Sequence, residues 1–130
     1  MKHRPPPAVE GLILEPLNDD AGLFYRAGRL LERGRSAHQA YEVWDSPQFG
    51  RLFRLDGSSM SSERDEFHYH ENLVHVPCIA HAGVRRALIV GGGDGGSAEE
   101  LLKQPAIEHV LIVELDAKVV EIARKYLHAV

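Results

Sequence analysis

The sequence predicts an α/β protein: a small β-rich amino-terminal domain, then the opening strand, glycine loop, helix and second strand of a doubly wound parallel sheet. Three observations carry that prediction. The apolar run Ala87-Leu88-Ile89-Val90 breaks into Gly91-Gly92-Gly93-Asp94-Gly95-Gly96 and resumes with the helix formers of residues 97–103. A second run, Val110-Leu111-Ile112-Val113, ends in Glu114 and Asp116. Ahead of both, residues 11–56 break into short β-type segments separated by turn residues.

Size and composition bound what such a chain can be. With 130 residues, 44% of them hydrophobic, it can bury the core of one ordinary domain but not of two full ones. The formal net charge of −4 comes from interspersed acids and bases with no basic block, which argues against a nucleic-acid partner. No apolar stretch approaches the roughly 20 residues that span a bilayer. The start, Met1-Lys2-His3-Arg4 and three prolines, lacks the apolar core of a signal peptide, so no membrane association is expected. The single Cys78 precludes an intrachain disulfide and a cysteine-based zinc site, which fits a reducing, cytoplasmic setting.

Taken in order, residues 1–10 with Pro5-Pro6-Pro7 are expected to form a flexible, extended tail. The β-rich domain is placed at 11–60. Within it, residues 11–16 and 40–45 read as strands, and 46–50 as a hairpin connection. The following Arg51-Leu52-Phe53-Arg54-Leu55 is expected to alternate charged and apolar faces, and Asp56-Gly57 makes a tight turn. Residues 21–35 carry some helical character, with Leu23, Leu30 and Leu31 as apolar points, although Gly28 and Gly34 leave an extended reading open. Residues 58–62 read as a polar join to the second domain, placed at 61–130. There, hydroxyls and acids at 61–66 signal a helix start that brings Tyr69, His70 and Glu71 into its first turns, while Pro77 limits or kinks the later ones. Residues 87–90 suit a strand buried on both faces, and 118–126 a helix capped by Asp116.

The glycine loop is the chemical centre. Gly91, Gly93 and Gly96 satisfy G-x-G-x-x-G, which makes a dinucleotide the first candidate ligand. Asp94 argues against it, because a carboxylate a few ångströms from a phosphate repels it in a partly dry pocket; the loop suits a cation or a neutral ribose. The plainer alternative is that Asp94 caps the next helix. Glu114 follows Asp94 by twenty positions, where doubly wound folds place the acid that accepts hydrogen bonds from ribose hydroxyls. NAD enzymes and adenosyl-sulfonium enzymes share that device, and an exposed strand-end acid is the alternative. His68, His70, Glu71 and His75 crowd together, but His70 and His75 stand five positions apart, roughly 140° around a helix, where a helical zinc motif needs four. No metal site is expected.

In combination, Leu55-Asp56-Gly57, Asp65-Glu66-Phe67 with Tyr69-His70-Glu71, the loop from Gly91 to Gly96, and Val113-Glu114-Leu115-Asp116 resemble the spermidine synthases, the polyamine aminopropyltransferases. The resemblance runs from about residue 36 to residue 126. It implies a β-domain followed by the first half of a methyltransferase-like Rossmann fold. The implied reaction is transfer of an aminopropyl group from decarboxylated S-adenosylmethionine, a co-substrate, to putrescine, giving spermidine and methylthioadenosine without another cofactor. By resemblance Gln39 contacts the nucleoside-sulfonium substrate, Tyr69 and His70 line the amine channel, Gly91, Gly92 and Gly93 approach the substrate, Asp94 receives an amino group, and Glu114 binds the ribose. Tyr69 and Asp94 are the expected catalytic contacts. The main proton acceptor, the adenine loop and the rest of the sheet are expected beyond residue 130, so the chain is expected to be a truncated portion, inactive alone, with its outer sheet face exposed. Asn72 stands where the family usually has methionine. A homo-oligomer is implied as well. The competing readings are an S-adenosylmethionine-dependent diamine N-methyltransferase, a non-catalytic binding or interaction fragment, and, last, an NAD-binding domain.

Overall fold

The computed structural model describes residues 9–81 and 83–127, so residues 1–8 of the expected tail lie outside the described residues. The chain divides into two compact units between Arg64 and Asp65.

The first unit is built from strands β1 (Leu12–Pro16), β2 (Gly22–Arg26), β3 (Arg29–Arg35), β4 (Ala40–Ser46), β5 (Gly50–Leu55) and β6 (Ser58–Ser62). β1 and β2 make an antiparallel hairpin, and β3 to β6 an antiparallel meander in chain order. Asn18 shapes the hairpin turn, its Oδ1 accepting from the amides of Asp20 and Ala21 at 2.9 and 2.8 Å. Residues 21–35 are therefore strand and not helix. The aromatic run Leu23-Phe24-Tyr25 suits a pleated surface, and the pairing of Leu12–Pro16 with Gly22–Arg26 satisfies its backbone.

Two further expectations are corrected in this unit. Residues 58–62 are not a join but a strand, and a domain boundary at residue 60 would cut it. Asp56 at φ 47° and Gly57 at φ 88° form the two-residue turn that commits the chain to a returning strand, whatever the polarity of the serines that follow. Nor does β5 alternate between charged and apolar faces: Leu52, Phe53 and Arg54 are all buried. β5 is an inner strand, and Leu52 joins Ile13 and Ala27 in a core packed by Tyr25, Trp44 and Phe49. Arg54 is tolerated there because its guanidinium pairs with Glu42 at 2.9 Å and donates to the Leu14 carbonyl at 3.2 Å.

The second unit contains α1 (Glu66–Ala80), β7 (Arg86–Val90), α2 (Gly96–Leu102), β8 (His109–Val113) and α3 (Ala117–Tyr126). β7 and β8 pair in parallel, from Arg86 opposite His109 to Val90 opposite Val113. This is the mixed α/β order expected of the sequence. α1 continues through Pro77 to Ala80, with the His81 amide closing on the Pro77 carbonyl at 3.0 Å, so the proline neither ends the helix nor stops its last turn. Asp116 caps α3, its Oδ1 accepting from the Lys118 amide at 3.0 Å, while Val119, Ile122 and Ala123 form the buried stripe. The expectation that 87–90 is covered on both faces fails: Leu88 is 63% and Val90 82% exposed, because the described sheet has two strands and helices do not cover all of it. No helix among the described residues is long and apolar enough to cross a membrane.

Candidate functional site

The loop between β7 and α2 sets the geometry. Gly95 takes φ 97°, a left-handed conformation that a side chain would strain. Gly93 and Gly96 are glycines for a different reason. A Cβ on Gly93 would lie 2.7 Å from Glu114 Cγ, and one on Gly96 would lie 2.1 Å from His70 Cε1. The missing side chains let the strand-tip acid and the helix histidine press against the loop backbone.

Glu114 turns back beneath the loop from the end of β8. Its Oε2 accepts from the Gly93 amide and its Oε1 from the Asp116 amide, each at 2.9 Å. Each oxygen keeps a lone pair for a hydroxyl donor. Earlier in the loop, the Gly91 amide donates to the Val113 carbonyl at 2.9 Å, and the Gly92 carbonyl accepts from Gly95 at 3.1 Å, fixing the turn to the sheet end. Asp94 precedes the N-cap residue of α2, which is Gly95. Asp94 places Oδ2 3.5 Å from His70 Nε2. Gly93, Asp94, Gly95 and Glu114, with Ile112 and Leu127, line a cleft of about 540 Å³, so both loop and strand-tip acids border one cavity.

His70 is 4% exposed, and each of its ring nitrogens faces a carboxylate: Nδ1 lies 2.5 Å from Glu66 Oε2, and Nε2 faces Asp94. Burial by itself lowers the imidazole pKa. The hydrogen bonds and charges of Asp94 and Glu66 together outweigh it, and the imidazolium persists above its ordinary value of 6.5. Tyr69, one position earlier on α1, is 64% exposed and meets the His70 ring edge-on at 5.3 Å. His75 belongs to another cluster: Nε2 lies 2.7 Å from Glu100 Oε2, Nδ1 lies 2.7 Å from Gln104 Nε2, and Lys103 Nζ approaches the other Glu100 oxygen at 2.5 Å. The two histidines thus serve different carboxylates.

Gln39 stands in the first unit, on the turn from β3 to β4. Its amide donates to Ser36 Oγ at 3.1 Å and its carbonyl accepts from the Ser36 amide at 2.9 Å. The structure therefore brings Asp94 and Glu114 to one cleft and places Tyr69 and His70 on the helix whose histidine reaches Asp94.

Residues 66–130, half of the chain, match the spermine/spermidine synthase domain model. The chain belongs to the spermine/spermidine synthase family. It is 46% identical over 123 residues to a polyamine aminopropyltransferase of Nitrosomonas europaea, covering 95% of this chain and 38% of that protein. Over 109 residues it is 43% identical to one of Thermotoga maritima, covering 84% and 37%. A spermidine synthase crystallised in complex with the transition state analogue AdoDATO superposes with a TM-score of 0.86 at 38% identity, covering 98% of this chain and 44% of that one. The chain thus spans less than two fifths of the length of these two curated relatives.

Within the motif residues, Glu66 received no role from the sequence. Glu66 stands one helical turn before His70, a spacing that places two side chains together on a helix, and the pair is the signal that could have found it.

Proposed function

We propose that this chain forms the part of a polyamine aminopropyltransferase that grips decarboxylated S-adenosylmethionine and the diamine it alkylates, typically putrescine. The observation that carries this reading is the single cleft bordered by Asp94 and Glu114. Glu114 retains acceptor capacity for ribose hydroxyls, and Asp94 supplies negative charge for an amino group. Tyr69 and His70 are assigned to the amine side, Gln39 to the nucleoside, and the backbone of Gly91, Gly92 and Gly93 to close approach. A spermidine synthase of 38% identity was crystallised in complex with the transition state analogue AdoDATO, which supports a substrate-binding role for this part of the chain.

In the proposed reaction the lone pair of an unprotonated amine attacks the carbon beside the sulfonium. The carbon–sulfur bond breaks with its electrons going to sulfur, and the departing thioether is methylthioadenosine. Alignment is the main requirement, which needs neither a covalent nucleophile nor a further cofactor. A homo-oligomer formed through the β-rich unit and a cytoplasmic setting belong to the same reading.

Calorimetry with the two sulfonium donors tests it. Decarboxylated S-adenosylmethionine should bind at least about tenfold more tightly than the intact donor, whose carboxylate would be repelled by Asp94. The reverse preference would favour the diamine N-methyltransferase reading.

A further inference from the structure

We propose that Glu66 is a positioning residue: through His70 it holds the Asp94 carboxylate at the cleft and keeps the cluster's charge negative. This rests on the amine-binding role given above to Asp94 and extends it to a side chain outside the cleft.

The geometry is a relay of three groups. Glu66 Oε2 lies 2.5 Å from His70 Nδ1, which fixes the ring so that Nε2 points at Asp94 Oδ2 3.5 Å away. The His70 side chain is 5% exposed, that of Glu66 10% and that of Asp94 15%, so water screens the three weakly. The Gly96 backbone pins the ring from the loop side, where a Cβ would fall 2.1 Å from it. Glu66 from α1 and Asp94 from the loop are the charged groups that face the imidazole, with the Tyr69 ring edge beside it.

Charge balance then assigns Glu66 its purpose. An imidazolium beside Asp94 alone would leave a neutral pair with little pull on a cationic amine. With Glu66 present and His70 protonated, the three groups carry one net negative charge while Asp94 remains ion-paired with the imidazole at 3.5 Å. His70 supplies the grip, and Glu66 offsets the positive charge that the grip introduces.

Three chains, the parent, Glu66→Gln and Glu66→Asp, decide the matter through NMR titration of the His70 ring and the Asp94 carboxyl, together with putrescine calorimetry across pH. In Glu66→Gln the His70 pKa should fall by about one unit or more, and the Asp94 carboxyl resonance should move. Below the pH at which His70 loses its proton in the Glu66→Gln titration, putrescine affinity should fall about tenfold relative to the parent, and it should recover in part above that pH. Glu66→Asp, which keeps the charge, should restore much of the parent's pH profile. An unchanged His70 titration, or parallel affinity profiles in parent and Glu66→Gln, would overturn the proposal. If the parent binds no putrescine at any pH, the amine reading of the cleft fails; the His70 titration and the Asp94 resonance then decide the relay by themselves.

Discussion

Gly96 and Gly93 show at single-residue scale how a close approach of backbone and side chain builds a site. Each occupies a place that a methyl group would contest, Gly96 with the His70 ring and Gly93 with Glu114. Gly96→Ala should therefore cost about 1–3 kcal/mol in urea denaturation, the usual range for overpacking, and should disturb the His70 resonances. The glycine pattern was legible in the sequence, but the reason for these two glycines was not: contact with His70 and Glu114 is a long-range event that no local propensity records. Asp94 was ambiguous for the same kind of reason. A cap and a ligand-facing acid look alike in sequence; in the structure Gly95 takes the N-cap position and Asp94 approaches His70.

Among the elements, those fixed by local chemistry were the readable ones. The strand, glycine loop and helix around residues 86–102 and the Asp116-capped α3 follow from apolar runs, glycines and a capping acid. Asp116→Ala should lower stability by about 1 kcal/mol, seen as an earlier urea midpoint with unchanged slope. The elements misread or left open were those decided by partners. Residues 21–35, for which helical and extended readings were both open, became β2 and β3 because pairing decided between them, and the serines of β6 became strand because the Asp56-Gly57 turn delivers them to β5. Helices α1 and α2 are joined by a polar link that spacing alone did not reveal. Burial raises the pKa of Glu100, but hydrogen bonds from Lys103 and His75, reinforced by their charges, bring it below its ordinary value of 4.5. A depressed folded-state pKa contributes stability that is fully present above about pH 4.5 and lost as pH falls through the lower folded value. Chemical denaturation across that acid window should show this loss, and Glu100→Gln should flatten the Glu100 part of it.

At the scale of the whole molecule, the second unit presents apolar side chains along its sheet. Leu88, Val90, Leu111 and Val113 are 63%, 82%, 61% and 53% exposed, an apolar surface with two unpaired strand edges among the described residues. Concentration-dependent self-association should follow and be visible in sedimentation velocity. A Val90→Lys, Leu111→Lys pair should reduce it without unfolding the unit; unchanged association in that variant would place the contact elsewhere. The expectation of a covered strand failed at this scale because burial depends on what lies beside the sheet, which an apolar run cannot report.

The central claim is that Asp94 and Glu114 divide one cleft between an amine and a nucleoside. Calorimetry of the parent, Asp94→Asn and Glu114→Gln chains with putrescine and with methylthioadenosine tests it most directly. Asp94→Asn should weaken putrescine about tenfold or more while largely sparing methylthioadenosine, and Glu114→Gln should do the opposite. Equal affinities of all three chains for both ligands, or no binding of either ligand by the parent, would contradict the account.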